Sequence, residues 1–205
     1  LSAELGVYSL EEDDSSEIRT RNRHLTTWSA RLHRDSEPSA FDFDLEYARQ
    51  TGDVRASTSA IDLADLSKDA HMMHAEAGYT LASDLARVSL HYDRATGDAN
   101  PADGEDSRFD PLFGDRSFEL GPTATFGAVA RSNLDSLAIR LDVTPPGPWD
   151  GLLSLRTVSL ESRTDSFGGS GLRDASGAAG SHAGEQIEWR IRRWLVKDVA
   201  RLAIG

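Results

Sequence analysis

Residues Gly184–Gly205 read GEQIEWRIRRWLVKDVARLAIG. Ile187, Trp189 and Ile191 alternate with Glu188, Arg190 and Arg192, so an extended chain is apolar on one side and carries charge of both signs on the other. The strand ends at a tight turn, LVKD, with Trp194 beside it. In a soluble sheet the apolar side would be core and the charged side would face water. A membrane strand has the same period with lipid on the apolar side, and the rest of the chain must decide between the two.

The chain has 205 residues, 39% hydrophobic and 27% charged, which suits one folded domain rather than a disordered segment. No run approaches the ~18 consecutive apolar residues of a spanning helix. Spanning strands need only about 9 to 11 alternating residues each, which averaged hydropathy conceals. There is no cysteine, so disulfides, thiolate metal sites and cysteine nucleophiles are all absent. A net charge of -12 argues against nucleic-acid binding, which needs a basic face. The sequence starts at Leu1 without methionine, and both ends (LSAELGVY and ARLAIG) read as strand interiors. Residues 1–205 are therefore expected to be part of a single barrel domain, truncated within strands at both ends.

Nine alternating segments follow one another: Leu1–Leu10, His24–His33, Phe41–Gln50, Ala70–Leu81, Leu85–Asp93, Leu134–Val143, Leu152–Glu161, Gln186–Trp194 and Val199–Gly205. The connections after the second, fourth, sixth and eighth are short (DSEPSA, ASD, TPPGPWDG, LVKD), and those after the first, third, fifth and seventh are long, polar and rich in Gly, Asp and Ser. In an antiparallel meander this puts every short turn on one rim and every long loop on the other. That asymmetry marks an all-β, antiparallel up-and-down transmembrane β-barrel of the bacterial outer membrane.

The faces agree. Phe41, Phe43, Leu45 and Tyr47 oppose Asp42, Asp44 and Glu46; Val88, Leu90 and Tyr92 oppose Arg87, Ser89, His91 and Asp93; Leu137, Ile139 and Leu141 oppose Arg140 and Asp142. Tyr47 and Tyr92 fall beside long loops, Phe41 and Tyr79 beside short turns, and Trp149 and Trp194 in or next to short turns, as two interfacial girdles require. In the seventh segment Leu153 and Leu155 point outward, while Val158 and Leu160 share parity with Arg156 and leave its upper end open.

RFDPLFGDRSFELGPTATFG (Arg108–Gly127), RTDSFGGSGLRDASG (Arg163–Gly177) and Gly184–Gly205 resemble the alginate-export family of outer-membrane proteins. The resemblance is strongest from about Arg108 onward. It implies an eighteen-stranded monomeric barrel of which these nine strands are the ninth to the seventeenth, and export of an anionic polyuronate from the periplasm. It also implies contact with lipid and lipopolysaccharide, periplasmic secretion partners, and no catalysis. The first hundred residues match it only as strands and loops, so the solute can differ.

Inward-facing candidates are Arg31, Arg87, Arg140, Arg156, Arg190, Arg192 and Arg201 against Asp42, Asp44, Glu46, Glu76, Asp93, Asp142 and Glu188. Arg87, Arg140, Arg156, Arg190, Arg192, Asp142, Glu188 and Glu76 are the expected substrate path. Guanidinium binds carboxylate bidentately and stays charged, so it can hand a uronate from rung to rung, while the acids keep any one site from holding it. Arg190 and Arg192 would stand roughly 6.6 Å apart along one face. The same set can equally be an ion-pair ladder that only fills and stiffens a lumen. Excess acid in loops such as EEDDSSE keeps the net charge from contradicting a basic constriction.

The loop Ala95–Asn133 carries Phe109, Leu112, Phe113, Phe118, Leu120 and Phe126, too apolar to lie in water, and is expected to fold inward as a plug or pack on itself. Asp98, Asn100, Asp103, Glu105 and Asp106 offer oxygen ligands for calcium without EF-hand spacing; no other cofactor or metal is expected. His71 and His74 are three apart and fall on opposite strand faces, which disfavours a shared metal. The glycine-rich GGSGLRDASGAAGSHAG lacks the lysine of a phosphate loop. Asp42, Asp44 and Glu46 are expected to pair with Arg31 and His33 rather than act as glycosidase acids. Three classes remain: a polysaccharide pore, a barrel enzyme for which no nucleophile motif is present, and a soluble β-barrel ligand-binding protein. A pore for another substrate is a further alternative.

Overall fold

The computed structural model describes residues 1–15, 17–59, 61–112, 120, 129–168 and 170–205. Ten strands form one sheet: β1 (Ser2–Glu11), β2 (His24–Arg34), β3 (Phe41–Arg55), β4 (Asp65–Thr80), β5 (Ala86–Ala95), β6 (Glu105–Asp106), β7 (Leu134–Val143), β8 (Trp149–Ser159), β9 (His182–Val196) and β10 (Ala200–Ile204). Nine of them pair antiparallel in chain order; β6 is a two-residue parallel bridge from the long loop to the start of β4. The nine expected segments are these nine, and the extra strand is the loop bridge. Among the described residues the sheet is open: β1 pairs only with β2, and β10 only with β9.

The register turns the alternation into layers. Phe41, Tyr79, Val88, Leu141, Leu153 and Trp189 lie in one row across six strands. One residue along each strand, Asp42, Gly78, Ser89, Arg140, Ser154 and Glu188 form the next row on the opposite face. The apolar face is open: Phe41 is 72% exposed, Ile187 71% and Leu90 54%. An uncovered face so rich in Leu, Ile, Trp and Phe has lipid as its natural solvent. A soluble ligand-binding barrel would leave it in water.

The apolar band ends within β3 and β4. Past Tyr47 the outward residues are Arg49, Thr51 and Asp53 on β3, with His71, Asp69 and Ser67 on β4, and Arg49 pairs with Asp69 at 2.8 Å. Tyr47 thus marks an interface in mid-strand rather than beside a loop, and the β3–β4 ribbon continues beyond lipid. Phe41 and Tyr79, ring centroids 4.8 Å apart, sit at the short-turn end, as does Trp149 with Arg193 5.0 Å from its ring centre. Trp194 departs from the expected girdle. It shares parity with Arg190 and Arg192, and Arg201 lies 4.9 Å from its ring centre on the concave face.

Toward the long loops, the concave face becomes apolar. Ala48, Ala70, Met72, Ala95, Leu134 and Val158 form a buried layer, covered by Phe109 and Leu120 of the loop between β5 and β7. This loop folds inward. Val158 shares a face with Arg156 because, at that height, the face is covered by Phe109 and Leu120 rather than by water. Phe113, Phe118 and Phe126 lie outside the described residues.

Candidate functional site

Antiparallel pairing places charged side chains in parallel rows along the concave wall. His33, Asp44, Glu76, His91, Ala138, Arg156 and Gln186 form one row. Glu4, Arg31, Glu46, His74, Asp93, Ser136 and Val158 form the row nearer the long loops. All eight residues read as the substrate path have concave parity, and together with Arg31 they divide into two groups.

In the first group each arginine already has its acid. Arg31 meets Asp44 at 2.5 Å and Glu4 at 3.7 Å. Arg87 reaches over β4 to Asp42 and also holds Glu76 at 2.5 Å. That reach depends on Gly78, whose missing side chain leaves the room: a Cβ there would stand 2.6 Å from the guanidinium carbon of Arg87. Arg140 pairs with Asp142 at 2.6 Å, two residues along its own strand. Arg156, 7% exposed, donates to Asp93 at 2.8 Å and to Ser136 at 2.6 Å. Arg192 meets Asp150 at 2.5 Å. Asp44 thus takes Arg31 as expected, whereas Asp42 takes Arg87. Glu46 faces Arg131 at 3.8 Å, and His33 faces Glu4 at 3.4 Å and Asp35 at 3.5 Å.

Arg190 and Glu188 form the second group. Among the described residues, Arg190 makes no hydrogen bond or ion pair, and its buried Nε has no acceptor. Glu188, two residues away on the same face, has no partner among them either. Arg201 stacks on Trp194 with no carboxylate partner among the described residues. Arg190 and Arg201 therefore carry unpaired positive charge on β9 and β10, with the unpaired Glu188 carboxylate on the same face, while the wall from β2 to β8 is largely self-compensated.

The inward loop is tied to the wall at several points. Gln50, fully buried on β3, donates from Nε2 to the Asp110 carbonyl at 3.2 Å and accepts the Asp110 amide at Oε1 at 3.2 Å. Asp106 accepts from Arg21 at 2.7 Å and Lys68 at 3.1 Å. Arg108 crosses to the β8–β9 loop, donating to Ser166 and to the Gly168 carbonyl at 2.6 Å. Asp98, Asn100 and Asp103 accept backbone amides of Asn100, Ala102 and Glu105. Burial, with the charges of Asp106, Asp165 and Asp103, pushes the Asp98 carboxyl above its ordinary value. Among the described residues, the donors that converge closely enough for a metal are His74, Glu76 and His91.

The sequence did not reveal that His74 meets His91 across strands, that Asp150 answers Arg192, or that Arg131 descends from the loop. Asp150 shares parity with Arg156 in WDGLLSLR, a signal that was present. The other two depend on register and on loop path. His71 and His74 do fall on opposite faces, the first exposed and the second buried.

Among families of known proteins, the sequence model described as Alginate export matches residues 2–205. No curated protein is similar enough to stand as a relative.

Proposed function

Because the chain belongs to the alginate-export family of outer-membrane porins, we propose that its concave face is one wall of a conduit for an anionic polysaccharide, with Arg190 as the guanidinium that engages the polymer. Families of this kind transport rather than catalyse. Arg190 carries the reading because its buried Nε has no acceptor and, among the described residues, no carboxylate forms a hydrogen bond or ion pair with it. A buried guanidinium N–H without an acceptor is costly, and a carboxylate of the passing chain supplies the missing acceptor. Arg201 on Trp194 extends the positive strip toward the short-turn rim. Arg87, Arg140, Arg156 and Arg192 are paired, and they serve the path by trading partners rather than by offering free charge. The exposed apolar face disfavours the soluble-binder alternative.

The test is the reversal potential of the membrane-assembled protein in planar bilayers under a salt gradient. Arg190→Gln should weaken anion preference and Arg190→Glu should turn it toward cations, with polyuronate passage falling in the same order. An unchanged anion preference in the assembled Arg190→Glu protein overturns the assignment.

A further inference from the structure

We infer that His74, Glu76 and His91 form a binding site for a divalent transition cation of the zinc type on the concave wall. The site rests on register. On one face of the β4–β5 ladder, Glu76 lies opposite His91 and His74 lies opposite Asp93. The three candidate donor atoms lie within 4.8 Å of one another. His91 Nδ1 is 3.2 Å from Glu76 Oε2. Tetrahedral zinc with bonds of about 2.0–2.1 Å holds its ligands about 3.3 Å apart, so that pair already has the right spacing. The two imidazole rings are 6.4 Å apart between centroids, and His74 needs to close by about 1.5 Å at most to join them.

The surroundings are those of ligating histidines. Asp93 Oδ1 stands 2.7 Å from Nδ1 of His74, and a neutral ring donating there carries its lone pair on Nε2. Ser89 Oγ stands 2.8 Å from Nε2 of His91. With the ring proton on Nε2 and the hydroxyl accepting it, the Nδ1 lone pair faces the Glu76 carboxylate 3.2 Å away, the arrangement that a shared cation requires. Arg87 grips the other oxygen of Glu76 at 2.5 Å and fixes the carboxylate. Both histidines are less than a tenth exposed. Two imidazoles and one carboxylate suit zinc, cobalt or nickel, whereas calcium and magnesium require oxygen donors throughout. Three protein ligands leave one position exchangeable. On the conduit reading above, a uronate carboxylate takes that position; the metal site itself does not depend on that reading.

The experiment uses untagged protein in detergent, stripped with chelator and titrated with Co²⁺ alone while visible absorption is followed. The expected result is a saturable band of four- or five-coordinate intensity at one equivalent, abolished by Zn²⁺. His91→Ala and His74→Ala should weaken binding by at least tenfold, Asp93→Asn by about 10–100-fold, and Arg190→Gln not at all. Heat-modifiable mobility on gels identifies the variants that have assembled. A wild-type spectrum that remains that of hexaaqua cobalt overturns the site, as does an assembled His91→Ala that binds as tightly as wild type. Should His91→Ala not assemble, the wild-type titration decides alone. A wild-type band unaltered by added oligouronate would remove the link to transport and keep the metal.

Discussion

Arg156 on β8 reaches past β7 to Asp93 on β5, its Nη1 2.8 Å from Oδ2, and neither residue is more than a tenth exposed. The pair fastens three consecutive strands from the inside. Removing one member of a buried pair typically costs about 3–5 kcal/mol, and here His74 and Arg131 also face Asp93, which draws the cost toward the lower figure. Arg156→Met should therefore lower the temperature at which the barrel loses its compact gel mobility. The double variant Arg156→Met with Asp93→Leu should lose less than the sum of the two single variants. Strict additivity would show that the contact is not energetically coupled.

Ile139 lies between Leu90 and Leu155 in one outward row and is 48% exposed. Ile139→Arg should destabilise the assembled protein by about 2–4 kcal/mol, measured by reversible unfolding in lipid vesicles, because the charge enters the hydrocarbon. Ser154→Arg, on the concave face, should cost far less. Equal penalties would mean that the faces are assigned the wrong way round.

Gln50→Ala removes both hydrogen bonds that hold Asp110 against β3 and leaves that half-buried backbone amide and carbonyl to find other partners, a loss of about 1 kcal/mol. Single-channel records should show larger or more frequent openings, and protease should cut within 96–112 sooner. A wild-type conductance pattern with a wild-type cutting rate would show that the loop is held elsewhere.

Asp14, in the first long loop, accepts from Arg55 at 2.5 Å and from the Thr20 amide at 2.7 Å. The Arg55 guanidinium, with that amide, holds its carboxyl well below the usual carboxylate range. A depressed folded value stabilises the loop fully above the ordinary pKa of about 3.9 and loses that contribution as pH falls from there through the depressed value. Pepsin cleavage within 12–23 should thus rise as the medium is acidified below about pH 3.9, whereas Asp14→Asn should be cut readily even above it. The same cleavage profile in both proteins would remove Asp14 as the loop's anchor.

The period of two carried most of this fold. Rows such as Phe41 to Trp189 and Asp42 to Glu188 follow from sequence once the strands pair in order. The strand ends were hidden because Gly52 and Asp53 read as loop, although they stand in a ladder beyond the lipid where no apolar face is needed. Trp194 misled because an aromatic next to a turn suits either face, and only its parity with Arg192 decides. Within the site, which residues face inward was legible, but which cations are neutralised was not. Asp42 pairs with Arg87 two strands away through the gap at Gly78, a geometry that no neighbour rule along the chain contains. The His74–Glu76–His91 cluster was missed for the same reason, since His71 is nearer in sequence but faces the other way.

On the proposed conduit reading, the pairing of Arg31, Arg87, Arg140, Arg156 and Arg192 with resident acids would also set the friction a threading polymer meets. A row of bare cations would be a staircase of deep wells, each sugar unit stalling until thermal motion freed it. Where Asp150 already occupies Arg192, an arriving carboxylate would displace an equivalent one and be displaced in turn, with little change in electrostatic energy at any point along the step. On that reading the wall would behave as a lubricated surface, and the drag would concentrate at the Arg190 strip, which would become the slow step that meters the flow.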